Sequence, residues 1–134
     1  MQRVGEDRSP MTTATALRFD APALAEALTV MSDLDLDELE FGVVEMDHQC
    51  KVLRYNATES RLSGLPPSRV IGRHFFREVA PCSNNSQVAQ RFEAATLDAT
   101  IPYTLALHMK AVPVMLRLLK ARDGKRMYFL VSMR

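Results

Sequence analysis

The chain has 134 residues, a length for one compact domain, and 17 Lys+Arg against 16 Asp+Glu give a formal charge of +1; with no basic run, nucleic acid is not the expected partner. Hydrophobic residues at 47% exclude general disorder, and no apolar run reaches the roughly 18 residues of a membrane-spanning helix. The polar N-terminus lacks the apolar stretch of a secretory signal and two cysteines are too few for a disulfide scaffold, so a reduced, cytoplasmic protein away from the membrane is expected.

Residues 1–16 carry few large apolar groups and are expected to be mobile. A helical cap is expected over 17–40. Asp20 can cap its first helix, Pro22 sits where a missing N–H costs nothing, and Leu24, Leu28 and Met31 fall on one face. A second short, acidic helix from Asp33 to Leu39 needs a larger body to dock on. The core is expected over 41–134. Phe41-Gly-Val-Val-Glu-Met and Cys50-Lys-Val-Leu-Arg-Tyr read as a hairpin turning at Asp47-His-Gln. Asn56 can cap the next helix, Gly64, Pro66, Pro67 and Gly72 punctuate the segment beyond it, and Phe75, Phe76 and Val79 are apolar anchors. Ser86 to Leu97 is predicted as the best internal helix, capped by Ser86, with Val88 and Phe92 on one side. Three strands close the chain, from Tyr103 to Met109, Val112 to Ala121 and Met127 to Met133, the last two joined by a tight Asp123-Gly124 turn. This order gives an α+β fold with a five-stranded antiparallel sheet and flanking helices.

Chemistry-bearing residues are few. His48, His74 and His108 do not stand at metal-ligand spacing from a cysteine or from one another, so no metal site is expected. No phosphate loop or nucleophile elbow is present. Cys50, beside the hairpin turn, reads as incidental. Cys82 follows Val79-Ala80-Pro81; it can be a small buried hydrophobe or a nucleophile whose acyl adduct persists where water is excluded. Tyr55, Glu59 and Ser63 are spaced by four, so a helix after the second strand puts them on one face. They form either a solvated polar face or a buried file in which a tyrosine and a protonated glutamate donate to an anion, since burial raises a carboxyl pKa.

The stretches Phe41-Gly-Val-Val, Arg54-Tyr-Asn-Ala-Thr-Glu and Val70-Ile-Gly-Arg-His-Phe-Phe-Arg-Glu-Val-Ala-Pro-Cys resemble the photoactive yellow proteins, blue-light photoreceptors of the PAS fold. The resemblance covers roughly residues 20–134, runs without gaps from Tyr55 through Glu59 to Cys82, and continues through Tyr103-Thr-Leu-Ala-Leu-His-Met109. It implies that Cys82 holds p-coumaric acid (4-hydroxycinnamic acid) as a thioester. Tyr55 and a protonated Glu59 would hydrogen-bond its buried phenolate, with Ser63 supporting Tyr55 where the family commonly has threonine. It further implies signalling by trans–cis isomerisation, proton donation from Glu59 and partial unfolding. Val44, Phe75, Val79, Tyr103 and Leu105 would wall the pocket, and Met109 aligns with a methionine that speeds dark recovery. Leu65 stands where the best-known members have an arginine, and Leu105 and Leu107 replace aromatics.

The resemblance thus favours a photosensory module that is not an enzyme, with an unidentified downstream partner, such as a histidine kinase on the same natural chain. Two other readings stand beside it. One is a PAS domain without photochemistry that serves in dimerisation; the other is a Cys82-dependent acyl-transfer enzyme with His74 or His108 as base.

Overall fold

Successive side chains of a strand point to opposite faces of a sheet, and the segment from Gly42 to Asp47 carries apolar residues toward both. Both faces of its sheet are therefore covered. A computed structural model describes residues 17–133, so the segment 1–16 expected to be mobile lies outside the described residues. The elements are α1 (Leu24–Val30), α2 (Asp33–Asp37), β1 (Gly42–Asp47), β2 (Val52–Tyr55), α3 (Ala57–Ser63), β3 (Asp98–Leu107), β4 (Lys110–Lys120) and β5 (Arg126–Met133). The sheet order is β2-β1-β5-β4-β3, with every pair antiparallel. This is the predicted five-stranded α+β arrangement. β3 begins five residues before its expected start at Tyr103.

On one face Val43, Leu119, Tyr128 and Leu130 meet Leu24, Leu28, Leu36 and Leu39 from the cap. On the other, Val44, Phe129, Leu116 and Leu118 pack with Phe75, Phe76, Val88 and Phe92. The 70–75 segment pairs with the start of β2, Gly72 N donating to Val52 O at 2.8 Å and Val52 N to Arg73 O at 2.9 Å. The opposite edge strand, β3, carries Pro102 at its middle.

Two local expectations are corrected. Asp20 does not cap α1: its carboxylate pairs with Arg18 at 3.3 Å, and the helix starts after Ala23, which is left-handed at φ 52°. The approach to α1 is set instead by a tertiary contact. The buried guanidinium of Arg117 binds the carbonyls of Phe19 (2.9 Å) and Ala21 (2.7 Å) while holding Asp98 through two nitrogens. The helix expected from Ser86 to Leu97 is a single 3-10 turn, Ala89–Glu93. Val88 and Phe92 are buried as their spacing suggests, but Arg91 turns its own Nε onto the Gln87 carbonyl (2.6 Å), taking an acceptor that a continuous helix needs. Ser86 caps nothing; Asn85 Oδ1 takes the Gln87 and Val88 N–H groups.

The cap is fastened by a buried polar cluster. Glu45, 2% exposed on the cap face of β1, accepts from Arg54 Nε (2.8 Å) and Nη2 (2.9 Å) and from Tyr128 Oη (2.7 Å). The remaining Arg54 hydrogens go to the Leu28 and Met31 carbonyls at the end of α1, both at 2.7 Å, and to Asp33 at 3.2 Å. All five guanidinium N–H groups therefore have partners, as only a planar fork allows. Breaking a buried pair strands the surviving charge, so Arg54→Met is expected to lower the unfolding free energy by about 3 kcal/mol in a urea titration.

Candidate functional site

β2 ends at Tyr55, and the chain turns at once into α3. Asn56 makes that turn: its Oδ1 accepts the N–H of Glu59 (2.9 Å) and of Val43 (2.9 Å), and its Nδ2 donates to the Leu36 and Phe41 carbonyls. Tyr55 at the strand end and Glu59 and Ser63 one helical turn apart then face one cavity of about 320 Å³. Leu65, Phe75, Val79, Leu105 and Phe129 supply apolar walls, and Cys82 belongs to the same lining. Single π-type (Phe75–Val79) and 3-10 (Pro81–Ser83) turns carry the chain past the wall to Cys82. The size lies near the lower bound for small-molecule sites, roughly 300 Å³.

The electrostatics of the cavity centre on Glu59. The residue is 4% exposed, and its Oε1 is buried with no hydrogen-bond partner among the described residues. Burial pushes its carboxyl pKa up to about 8, so it is mainly protonated at neutral pH. The side chain fits because position 42 is glycine: a Cβ there would collide with Glu59 Oε1. Tyr55 donates to Ser63 Oγ at 2.8 Å, and the Leu65 N–H donates to the same oxygen at 3.1 Å. Burial raises the Tyr55 phenol pKa, and the neighbouring Glu59 adds to the shift. The phenol is a hydrogen-bond donor here, not an anion.

Cys82 is exposed, as its place in a loop allows. Its carbonyl accepts from Tyr103 Oη at 3.0 Å and Asn85 Nδ2 at 3.2 Å. Cys50 packs partly against the core away from this cavity, and burial raises its thiol pKa.

Of the residues expected at the pocket, Tyr55, Glu59, Ser63, Leu65, Phe75, Val79, Cys82 and Leu105 are brought together. Val44 is wholly buried in the core behind them, and Tyr103 stands against the Cys82 main chain rather than in the wall. Met109 lies outside the cavity, 99% exposed at the β3–β4 turn, because His108 and Met109 both take positive φ and carry the turn into solvent. Neither His74 nor His108 lines the cavity: His74 Nδ1 accepts the Arg77 N–H and His108 Nε2 contacts the Arg61 carbonyl. Sequence reading missed Gly42, whose close approach to Glu59 is tertiary, and Asn85, whose amide joins the Cys82 carbonyl to the distant Tyr103. Among the described residues no helix is long and apolar enough to cross a membrane, and no group of three or more His, Cys, Asp or Glu side chains could hold a metal.

Comparison with known proteins agrees with this arrangement. The PAS fold family matches residues 36–134. The photoactive yellow protein of Halochromatium salexigens is 34% identical over 109 residues, 78% of this chain and 87% of that protein. That of Rhodothalassium salexigens is 29% identical over 87% of this chain and 96% of its own length. Among solved structures, the photoactive yellow protein domain of the sensor histidine kinase Ppr from Rhodospirillum centenum superposes with a TM-score of 0.74 at 38% identity. That match covers 79% of this chain and 96% of that domain. With its five-stranded sheet and its pocket between α3 and the Cys82 loop, the chain belongs to the photoactive yellow protein family of PAS-fold proteins.

Proposed function

We propose that the chain is a blue-light receptor carrying p-coumaric acid as a thioester on Cys82. The observation that supports this most directly is the single apolar-walled cavity whose lining brings the buried Glu59 together with Tyr55 and Cys82. A phenolic oxygen suits the site, because both the neutral Glu59 carboxyl and the Tyr55 hydroxyl can donate to it.

Cys82 Sγ, as thiolate, forms the C–S bond to the acyl carbon of an activated coumaroyl thioester. The bond to the departing thiol breaks, and that thiolate takes a proton from solvent. Once bound, the group supplies a light-driven trans-to-cis isomerisation. The chain's residues hold its charge and protons. Ser63 Oγ can accept the Leu65 N–H and donate its own hydrogen to Tyr55 Oη, which frees the Tyr55 hydrogen for the ligand. Glu59 keeps a proton at neutral pH and can release it to a phenolate whose basicity rises. The resulting carboxylate among Phe75, Val79 and Phe129 is costly, and local opening relieves the cost. The same reading assigns a cytoplasmic location and a signalling partner, with a histidine kinase as the expected class.

Apoprotein mixed with an activated p-coumaroyl thioester is expected to gain one coumaroyl mass and a visible band that a blue flash bleaches and darkness restores. Cys82→Ala is expected to stay colourless, and Glu59→Gln to form the adduct but lose proton release from that side chain in time-resolved infrared spectra. A wild-type chain that forms no coloured adduct, or one indifferent to light, overturns the proposal.

Glu59 also predicts a pH dependence for the apoprotein. Its folded pKa of about 8 stands above the unfolded value of 4.5, so between them the unfolded chain has lost a proton that the folded chain keeps. Stability therefore falls as pH rises through this window, by about 5 kcal/mol in all, and levels off above it. Urea titrations from pH 5 to 9 are expected to show this slope in wild type and its loss in Glu59→Gln.

A further inference from the structure

We infer that Asn85 and Tyr103 form a clamp that positions Cys82 for acyl attachment, a role that rests on the photoreceptor reading. Three groups close a hydrogen-bonded triangle. Tyr103 Oη donates to Cys82 O at 3.0 Å. The Asn85 amide donates to the same carbonyl at 3.2 Å and to Tyr103 Oη at 2.8 Å. The orientation of the Asn85 amide is fixed by its other end, because Oδ1 accepts the N–H groups of Gln87 (3.0 Å) and Val88 (3.1 Å). A flipped amide would turn hydrogens onto hydrogens, so the NH2 group must face Cys82 and Tyr103.

The clamp joins two elements that chemistry needs in register. Tyr103 belongs to β3, and Leu105, two residues on, is a wall of the cavity. Cys82 sits in a loop with its thiol residue exposed, and a loop residue is placed only as well as its main chain is held. Two donors on the Cys82 carbonyl tie that peptide plane to the strand that shapes the wall. They thereby set where Sγ meets an acyl carbon held in the cavity. The step served is the balanced exchange given above, in which the Cys82 C–S bond forms and the bond to the departing thiol breaks. Asn85 and Tyr103 are positioning residues and take no proton in it.

The test compares two rates at Cys82 by peptide mass: loading from an activated p-coumaroyl thioester, which must use the cavity, and alkylation by iodoacetamide, which reports thiol reactivity alone. Tyr103→Phe removes one donor and keeps the ring. Asn85→Asp keeps the oxygen that accepts Gln87 and Val88 but replaces the donor, whereas Asn85→Ala loses both. The ratio of loading to alkylation is expected to fall about fivefold in Tyr103→Phe and in Asn85→Asp, the size of effect that one hydrogen bond gives. Asn85→Asp is expected to restore the thermal midpoint lost in Asn85→Ala without restoring loading, and the visible band of loaded Tyr103→Phe to shift from that of wild type. An unchanged ratio in both conservative variants, or rescue of loading by Asn85→Asp, reduces Asn85 to a loop cap and overturns the clamp. Wild type that alkylates at Cys82 but takes no coumaroyl group overturns the photoreceptor reading and the clamp together.

Discussion

A carboxylate sealed under a helical cap constrains this fold more than any apolar contact. Glu45 lies on the cap face of β1, where an unpaired charge would be intolerable, and Arg54 and Tyr128 both bind it. Arg54 in turn ends α1 by filling its last carbonyls, and Tyr128 reaches Thr29 at 2.6 Å. Cap docking is thus specified by direction as well as by burial. Arg54 and Tyr55 are consecutive residues of β2, so alternation sends one to the cap and the other to the cavity. Displacement of that strand would reach both faces at once.

The cavity uses the opposite device. On the cap face a charge is buried and paired; on the other a carboxyl is buried and left without a partner, and it avoids the penalty by staying protonated. Gly42 makes this possible by leaving the space that the Glu59 carboxyl occupies. Two buried glutamates, on β1 and α3, are accommodated differently: Glu45 has a guanidinium within reach, and Glu59 is held away from any.

Much of this was legible in the sequence. Alternating apolar residues gave the strands, Asp123-Gly124 gave the last turn, and Asn56 announced α3 and its cap, because each signal is local. The four-residue spacing of Tyr55, Glu59 and Ser63 placed them together, although Tyr55 stands on the strand and only the other two on the helix. Spacing alone did not separate a buried file from a solvated face, since that depends on Gly42 and on walls contributed from elsewhere. Cys82 stood out only through resemblance, because its neighbours in sequence are not its neighbours in chemistry. The misplaced start of α1 and the overestimated helix at 86–97 share one cause. Arginine side chains, Arg117 and Arg91, took the carbonyls that local rules assign to helix hydrogen bonds.

The pairing at the start of β2 and the proline in β3 bear on solubility. A sheet that ends in free N–H and C=O groups invites another chain to add a strand, the first step toward aggregates. Here one border is paired at its start with the 70–75 segment, and the other is broken at Pro102, which has no N–H to donate. Each border of the sheet therefore carries an interruption to the row of free main-chain groups, while the apolar cap face lies away from both. An incoming strand would find only short stretches to pair with, so the fold resists edge-to-edge growth.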